Sequence, residues 1–269
     1  FIMAADEPKD KLISEIIHKA DVAITRSSTD VDANFIKNAT NMKAIVRAGV
    51  GVDNVDIPGC SKEGIIVMNV PTANTIAAVE LTMAHMLSCM RMFPYSHNDL
   101  KLDRIWKREK WYGHELSGKK LGVIGFGNIG SRVAKRAAAF EMDVVAYDPY
   151  IHPSKVTDLD MTYTKNFADI LACDIITIHT PKNQETIGII GAEEIAQMKD
   201  GVVLVNCARG DLYNEDALYD GLKSGKIRFA GIDVFGKEPA TDNKLLDLDN
   251  IVVSPHLGAN TYESQFNIG

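Results

Sequence analysis

Cysteine is scarce and scattered: four in 269 residues, Cys60, Cys89, Cys173 and Cys207, with no CxxC pair. That spacing fits reduced thiols in a cytoplasmic protein rather than a disulfide framework. The seven histidines form no HxH or HxxxH pair, so no metal centre is expected. No apolar run approaches the roughly 20 residues that span a bilayer, and no basic-then-apolar segment opens the chain, so no membrane partner is expected. Basic charge is in deficit. The 29 Lys and Arg face 36 Asp and Glu, a net −7, which argues against a nucleic-acid surface. The remainder is ordinary: 46% hydrophobic and 24% charged, with enough chain for one large or two medium domains. The chain opens at Phe1 and stops at "ESQFNIG", which reads as the start of a helix, so a piece of a longer protein is expected.

Over residues 20–70 the strand-length runs "DVAITR", "KAIVRAG" and "IIVMN" alternate with the helical stretches "VDANFIKNA" and "VDIPGCSKEG". Such alternation specifies a parallel α/β sheet. In "PTANTIAAVELTMAHMLSCMRMF", Pro71, Thr72 and Asn74 suit a helix start, about six helix-compatible turns follow, and Pro94 is expected to end the helix. Its four methionines read as packing residues. A second series opens at "KLGVIGFGNIGSRVAKRAAAFEMDVVAYDP" and continues through "DIITIHTP", "GVVLVNCARG", "RFAGIDVF" and "NIVVSPHLG". These near-continuous Val/Ile runs, with helices between them, describe an open sheet buried on both faces. The fold class expected is α/β, two Rossmann-like doubly wound parallel-sheet lobes with the active site in the cleft between them.

"VIGFGNIG" places Gly125, Gly127 and Gly130 in G-x-G-x-x-G spacing after a strand and at a helix start, and Asp148 ends the next strand about 20 residues on. The glycines permit a tight turn and close approach to a pyrophosphate, and the helix N-terminus supplies N–H donors. Asp148 can accept from both hydroxyls of an adenosine ribose and would repel a 2′-phosphate, which favours NAD over NADP. Ligands bind at the carboxyl ends of such strands. The second series ends its strands on Gly125, Asp148, Thr180-Pro181, Arg209, Asp233 and His256; the first ends on Arg26 and on Arg47 with Val50 and Gly51 just beyond. An arginine just past the buried run "VVLVN" is poorly placed for solvation, so Arg209 is expected to meet a substrate carboxylate. A hydride transfer also needs a proton carrier; His256 is suited to that, with Glu238 to stabilise its imidazolium.

The ordered set "RAGVGVDNVDI", "GFGNIG", "HTP", "NCARG", "GIDVFGKEP" and "SPHLGAN" resembles the NAD-dependent D-2-hydroxyacid dehydrogenases over nearly the whole chain. The resemblance implies Arg209, Glu238 and His256 as the catalytic three and NAD as cofactor. It implies a substrate-binding domain of residues 1–71, completed by 258–269, and an NAD-binding domain of 72–257. Asn128 and Ile129 in the glycine turn, with Thr180, Pro181 and Thr186, are implied to line the dinucleotide. So are Cys207, Ala208, Asp233 and Gly258. "TRSSTDVD" and "IWKREKWYGHEL" are most similar to the branch acting on phosphoglycerate, which implies that Arg26 and Arg47 hold an anionic group. Val50, Gly51 and Asn74 would then assist with the carboxylate. Glutamine stands at Glu238 in the formate branch, which this chain does not resemble. The resemblance further implies a homodimer, or a tetramer for a longer chain, formed by the long helix and a loop that offers Arg108 or Lys110 to the neighbouring subunit. Two departures stand out. Asp211 follows "ARG" where many relatives have glycine, so a different turn is expected, and Val50 replaces a common threonine. Other open readings are a hydroxypyruvate/glyoxylate or lactate-type reductase and a dinucleotide-sensing corepressor of the same fold.

Overall fold

The computed structural model describes residues 7–268 and divides into two compact units, residues 1–74 with 261–269, and residues 75–260. In the first unit β1 (Val22–Thr25), β2 (Ala44–Arg47) and β3 (Ile66–Asn69) form a parallel sheet in that order. Its connecting helices start on acids: Asp32 caps Ala33–Asn38 through the Phe35 N–H, and Asp56 caps Ile57–Lys62 through the Gly59 N–H. The apolar face packs around Phe35, Ile45 and Cys60, while Val22, Ile24, Ile66 and Met68 are exposed.

The second unit is a seven-stranded parallel sheet. Its strands are β4 (Lys120–Ile124), β5 (Asp143–Tyr147), β6 (Thr162–Thr164), β7 (Ile175–Ile178), β8 (Val202–Asn206), β9 (Ile227–Ile232) and β10 (Ile251–Val253), in the order β10-β9-β8-β7-β4-β5-β6. The winding reverses between β4 and β7, the switch point beside which open α/β sheets bind ligands. Every residue of β7 and β8 is buried, as a sheet clothed on both faces requires. One face carries Leu121, Val123 and Val205 against Val79, Met83 and Met86 of the long helix; the other carries Ile124, Ile176 and Leu204. The edge strand β6 has no counterpart among the expected strands.

The long helix runs Thr75–Arg91 and ends earlier than expected. Met92 takes a left-handed conformation at φ 52°, and Pro94 begins a second helix, Phe93–Lys101, instead of ending the first. Proline's fixed φ and missing N–H suit a first helical turn as well as a stop. Beyond it, Asp99 binds Lys110 Nζ at 2.9 Å and Trp111 Nε1 at 2.8 Å. The four cysteines are free and buried. Among the described residues no single helix is long and apolar enough to cross a membrane.

Candidate active site

The turn after β4 explains the spacing of its glycines. Gly125 has φ 86°, and a Cβ there would lie 2.8 Å from the His179 carbonyl oxygen, so both the turn and its approach to the loop after β7 require glycine. A Cβ on Gly130 would lie 2.0 Å from the Gly125 oxygen, so only glycine lets the helix Gly130–Ala139 start against the turn. Gly127 is different. Nothing lies within 4 Å of where its Cβ would be, and its backbone is open to a ligand at a helix N-terminus. Asn128 and Ile129 complete the turn, the Asn128 carbonyl accepting from Arg132 Nη1 at 2.8 Å. Asp148, at the end of β5, accepts the N–H groups of Phe126 and Tyr150, each at 2.9 Å, and is thereby locked beside the turn. Thr180 Oγ1 is buried without a hydrogen-bond partner, an orphan that a ligand could satisfy. Thr186 instead spends its hydroxyl on the Pro181 carbonyl at 2.6 Å, inside its own loop. Open backbone at Gly127, the fixed acid and the orphan hydroxyl fit a dinucleotide.

Asn206 closes β8 and folds the next turn. Its Oδ1 accepts the Ala208 N–H at 3.0 Å, and its Nδ2 donates to the Arg209 carbonyl at 2.8 Å. Gly210 then presses on the loop after β9, where a Cβ would lie 1.9 Å from the Phe235 carbonyl oxygen. That contact brings the segment carrying Arg209 against the segment carrying Glu238. The altered turn expected at Asp211 rested on the loss of a glycine. Asp211 nonetheless holds φ 61°, the left-handed region glycine favours, and pairs with Lys182 at 2.5 Å. Cys207 and Ala208 are buried beneath this turn, and burial pushes the Cys207 thiol up.

Glu238 accepts the Phe235 N–H at Oε1 (3.0 Å) and meets His256 Nδ1 at Oε2 (2.7 Å). Glu215, from the helix Glu215–Ser224, braces the same loop by accepting from Gly236 N and Asn243 Nδ2, each at 2.7 Å. Burial raises the Glu238 carboxyl, but the bonds from His256 and Phe235 and the charges of His256 and Arg209 outweigh it and hold it below its usual range. The Glu238 hydrogen bond raises His256; burial and Arg209 oppose this, the charges of Glu238 and Asp233 add to it, and the net shift is upward. A carboxylate only accepts, so Nδ1 carries a proton and Nε2 is left to exchange one. The neighbouring Asp233 holds the turn after His256, accepting at Oδ1 from Leu257 N (2.7 Å) and at Oδ2 from Gly258 N (2.9 Å). Arg209 donates to the Ala208 carbonyl at 2.7 Å, and its charge is felt by both Glu238 and His256.

In the first unit Arg26 follows β1 and Arg47 ends β2, on neighbouring strands. Arg26 Nη2 donates to Gln265 Oε1 at 2.9 Å, and Arg47 Nη1 donates to the Ala48 carbonyl at 2.5 Å. Asn54 links the two: Nδ2 donates to the Arg26 carbonyl at 3.1 Å and Oδ1 accepts from Arg47 Nε at 3.4 Å. Val50 and Gly51 continue from this edge, with the Val50 carbonyl accepting from Asn69 Nδ2 at 2.8 Å. Asn74 lies beyond β3, its Oδ1 buried without a hydrogen-bond partner. Sequence reasoning missed Asn54, Asn206 and Glu215; an asparagine ending an all-apolar strand was the one available signal.

The sheet order, the glycine turn and the histidine–carboxylate pair define the second unit as a dinucleotide-binding domain of the oxidoreductase type. The family model described as "D-isomer specific 2-hydroxyacid dehydrogenase, NAD binding domain" matches residues 83–258. The chain belongs to that family, and its cofactor is NAD. It is 44% identical over 262 residues to D-3-phosphoglycerate dehydrogenase of Archaeoglobus fulgidus, covering 97% of this chain and 49% of that protein. It is 46% identical to hydroxypyruvate reductase of Thermotoga maritima, covering 97% of this chain and 85% of that protein. The chain thus spans about half the length of the phosphoglycerate dehydrogenase it matches. Among solved structures, the D-lactate dehydrogenase of Aquifex aeolicus, complexed with NAD and lactic acid, is similar with a TM-score of 0.86 and 30% identity, over 98% of this chain and 82% of that one.

Proposed function

We propose that the protein interconverts a D-2-hydroxy acid and its 2-keto acid with NAD, and that its substrate is D-3-phosphoglycerate, giving 3-phosphohydroxypyruvate. The observation that carries this reading is the 2.7 Å His256–Glu238 pair within electrostatic reach of Arg209, at the carboxyl edge of an NAD-binding sheet. Bound NAD supplies the chemistry of accepting or returning a hydride. In oxidation His256 takes the hydroxyl proton at Nε2, and Glu238 stabilises the imidazolium that results. Arg209 binds the carboxylate and faces the oxygen that becomes the carbonyl. Arg26 and Arg47 bind the phosphate, with the Val50–Gly51 backbone and Asn74 assisting at the carboxylate. Residues 1–71 and 258–269 act as the substrate domain, and 72–257 as the NAD domain. Asp148 selects NAD over NADP.

The same reading gives a cytoplasmic homodimer, or a tetramer in a longer chain, joined through the long helix and the loop after it. Exposed Phe93, Leu100, Leu102 and Trp106 support an apolar interface there. Lys110 is engaged by Asp99, which favours Arg108 as the basic residue offered to a partner. A second reading, reduction of unphosphorylated hydroxypyruvate, is supported by the greater coverage of the Thermotoga maritima relative.

The deciding experiment follows NADH and NADPH oxidation with phosphohydroxypyruvate, hydroxypyruvate, glyoxylate and pyruvate. Highest kcat/KM with phosphohydroxypyruvate and NADH is expected. Preference for hydroxypyruvate selects the second reading. No turnover with any of them, together with peptide binding, overturns both in favour of a corepressor.

A further inference from the structure

A second histidine lies beneath the loop that carries His256, and the mechanism above does not use it. His85, in the middle of the long helix, is only 3% exposed. Its Nε2 lies 2.7 Å from Ser254 Oγ, and Ser254 Oγ donates to Asp233 Oδ1 at 2.6 Å. Asp233 is wholly buried. Its carboxylate holds the N–H groups of the two residues after His256, and its backbone carbonyl accepts the His256 N–H at 2.9 Å. One continuous path of hydrogen bonds therefore joins His85 to the turn 256–258.

The direction of each bond follows from proton counting. A serine hydroxyl carries one proton, and here it goes to a carboxylate that can only accept. Ser254 Oγ must then accept from His85, which makes His85 the neutral Nε2–H tautomer with a lone pair at Nδ1. The surroundings agree. Burial pushes the His85 pKa down, against the opposing pull of the Asp233 charge and the Val252 carbonyl, and Nδ1 has no hydrogen-bond partner. β9 leaves room for the ring, since a Cβ on Gly231 would lie 2.9 Å from His85 Cβ and 3.1 Å from Nδ1.

The turn needs such support. His256 sits at φ 53°, in the left-handed region that few residues other than glycine occupy, so its turn gains from being held. We propose that His85 is a positioning residue for the acid–base histidine. Through Ser254 it fixes the Asp233 carboxylate, and Asp233 clamps the turn so that His256 Nδ1 stays on Glu238. The proposal rests on the reading of His256 as the proton carrier. The groups facing His256 are Glu238 and Asp233, which raise its pKa, and Arg209, which lowers it. Asp233 is the charged group acting on His85. Loosening the clamp weakens the bond to Glu238, so His256 should titrate closer to its ordinary value.

The test follows the His256 ring by NMR titration of histidine-labelled protein, the signal being assigned by its loss in His256→Gln. This needs no substrate, so it stays informative even if the proposed activity fails. In His85→Leu the His256 pKa is expected to fall, and kcat for keto-acid reduction to drop by about tenfold, as for other groups that orient a functional histidine. His85→Gln places an amide N–H near the Nε2 position and should restore both. Ser254→Ala breaks the path at its second link and should reproduce the fall if His85→Leu does not fold. A wild-type His256 titration in folded His85→Leu or Ser254→Ala would overturn the proposal. So would a His85→Gln variant indistinguishable from His85→Leu. A change in thermal stability with no movement of the His256 titration would assign His85 to packing alone, which also overturns it.

Discussion

Glu238→Gln tests the heart of the site at almost constant shape. Glu238 accepts on both oxygens, from Phe235 N at 3.0 Å and from His256 Nδ1 at 2.7 Å. An amide can satisfy only one of them. With its oxygen toward Phe235, the NH2 group faces the Nδ1 proton; flipped, it faces the Phe235 N–H. Keeping a bond to His256 in the first orientation requires the imidazole to move its proton to Nε2, the wrong nitrogen for taking one from substrate. The loss is one hydrogen bond to a charged group, about 1.5–3 kcal/mol. At tenfold per about 1.4 kcal/mol, that corresponds to a roughly 10- to 150-fold fall in kcat/KM. The pH profile supplies a second reading. With His256 as the proposed acid, keto-acid reduction would require its imidazolium, and Glu238 raises the His256 pKa. Reduction therefore declines as pH rises through that raised value in the native protein, and the decline should move to lower pH in the variant. Stopped-flow or steady-state NADH oxidation between about pH 5 and 9 measures both quantities. A variant with kcat/KM within twofold of the native protein and an unmoved basic limb would refute the pairing as the source of the proton carrier's basicity.

Asp148→Ser should narrow the preference for NADH over NADPH, since the carboxylate held beside the glycine turn is removed; comparing kcat/KM for the two cofactors checks this, and an unchanged ratio counts against it. Arg209→Lys should raise KM and lower kcat together, because a lysine cannot reproduce the planar two-pronged grip of a guanidinium; near-native values of both would remove the carboxylate clamp. Gly210→Ala forces a Cβ to 1.9 Å from the Phe235 carbonyl oxygen, so the loops must part, at a cost of about 1–3 kcal/mol by analogy with overpacked cores. Thermal unfolding should show a lower Tm, and an unchanged Tm would mean that the two loops move freely.

The features legible in the sequence were those that act over short stretches of chain. The G-x-G-x-x-G turn and the Val/Ile-rich runs of β7 and β8 each declare themselves within a few residues. The ordered motifs also brought Arg209, Glu238 and His256 to attention, and the fold places Glu238 against His256 across 18 positions of sequence. β6 was invisible because "TYT" is a three-residue edge strand with one buried position, too short for a period to register. Pro94 misled because proline marks a helix start as readily as an end. Asn54 and Glu215 escaped because what they do depends on partners more than 20 residues away, and a polar residue in a loop carries no mark of such a partner.

The buried cysteines give the molecule an internal clock. Cys89 and Cys173 are pushed up to about 12 and about 11 by burial, and the thiols of Cys60 and Cys207 are raised as well. Thiolate is the reactive form, so alkylating reagents find almost nothing to attack in the folded chain. Modification instead waits on opening, and its rate reports how often each region opens. Cys60 belongs to the first unit and the other three to the second. A single alkylation time course, resolved by mass spectrometry, would therefore time the breathing of each unit separately, without adding any probe to the protein.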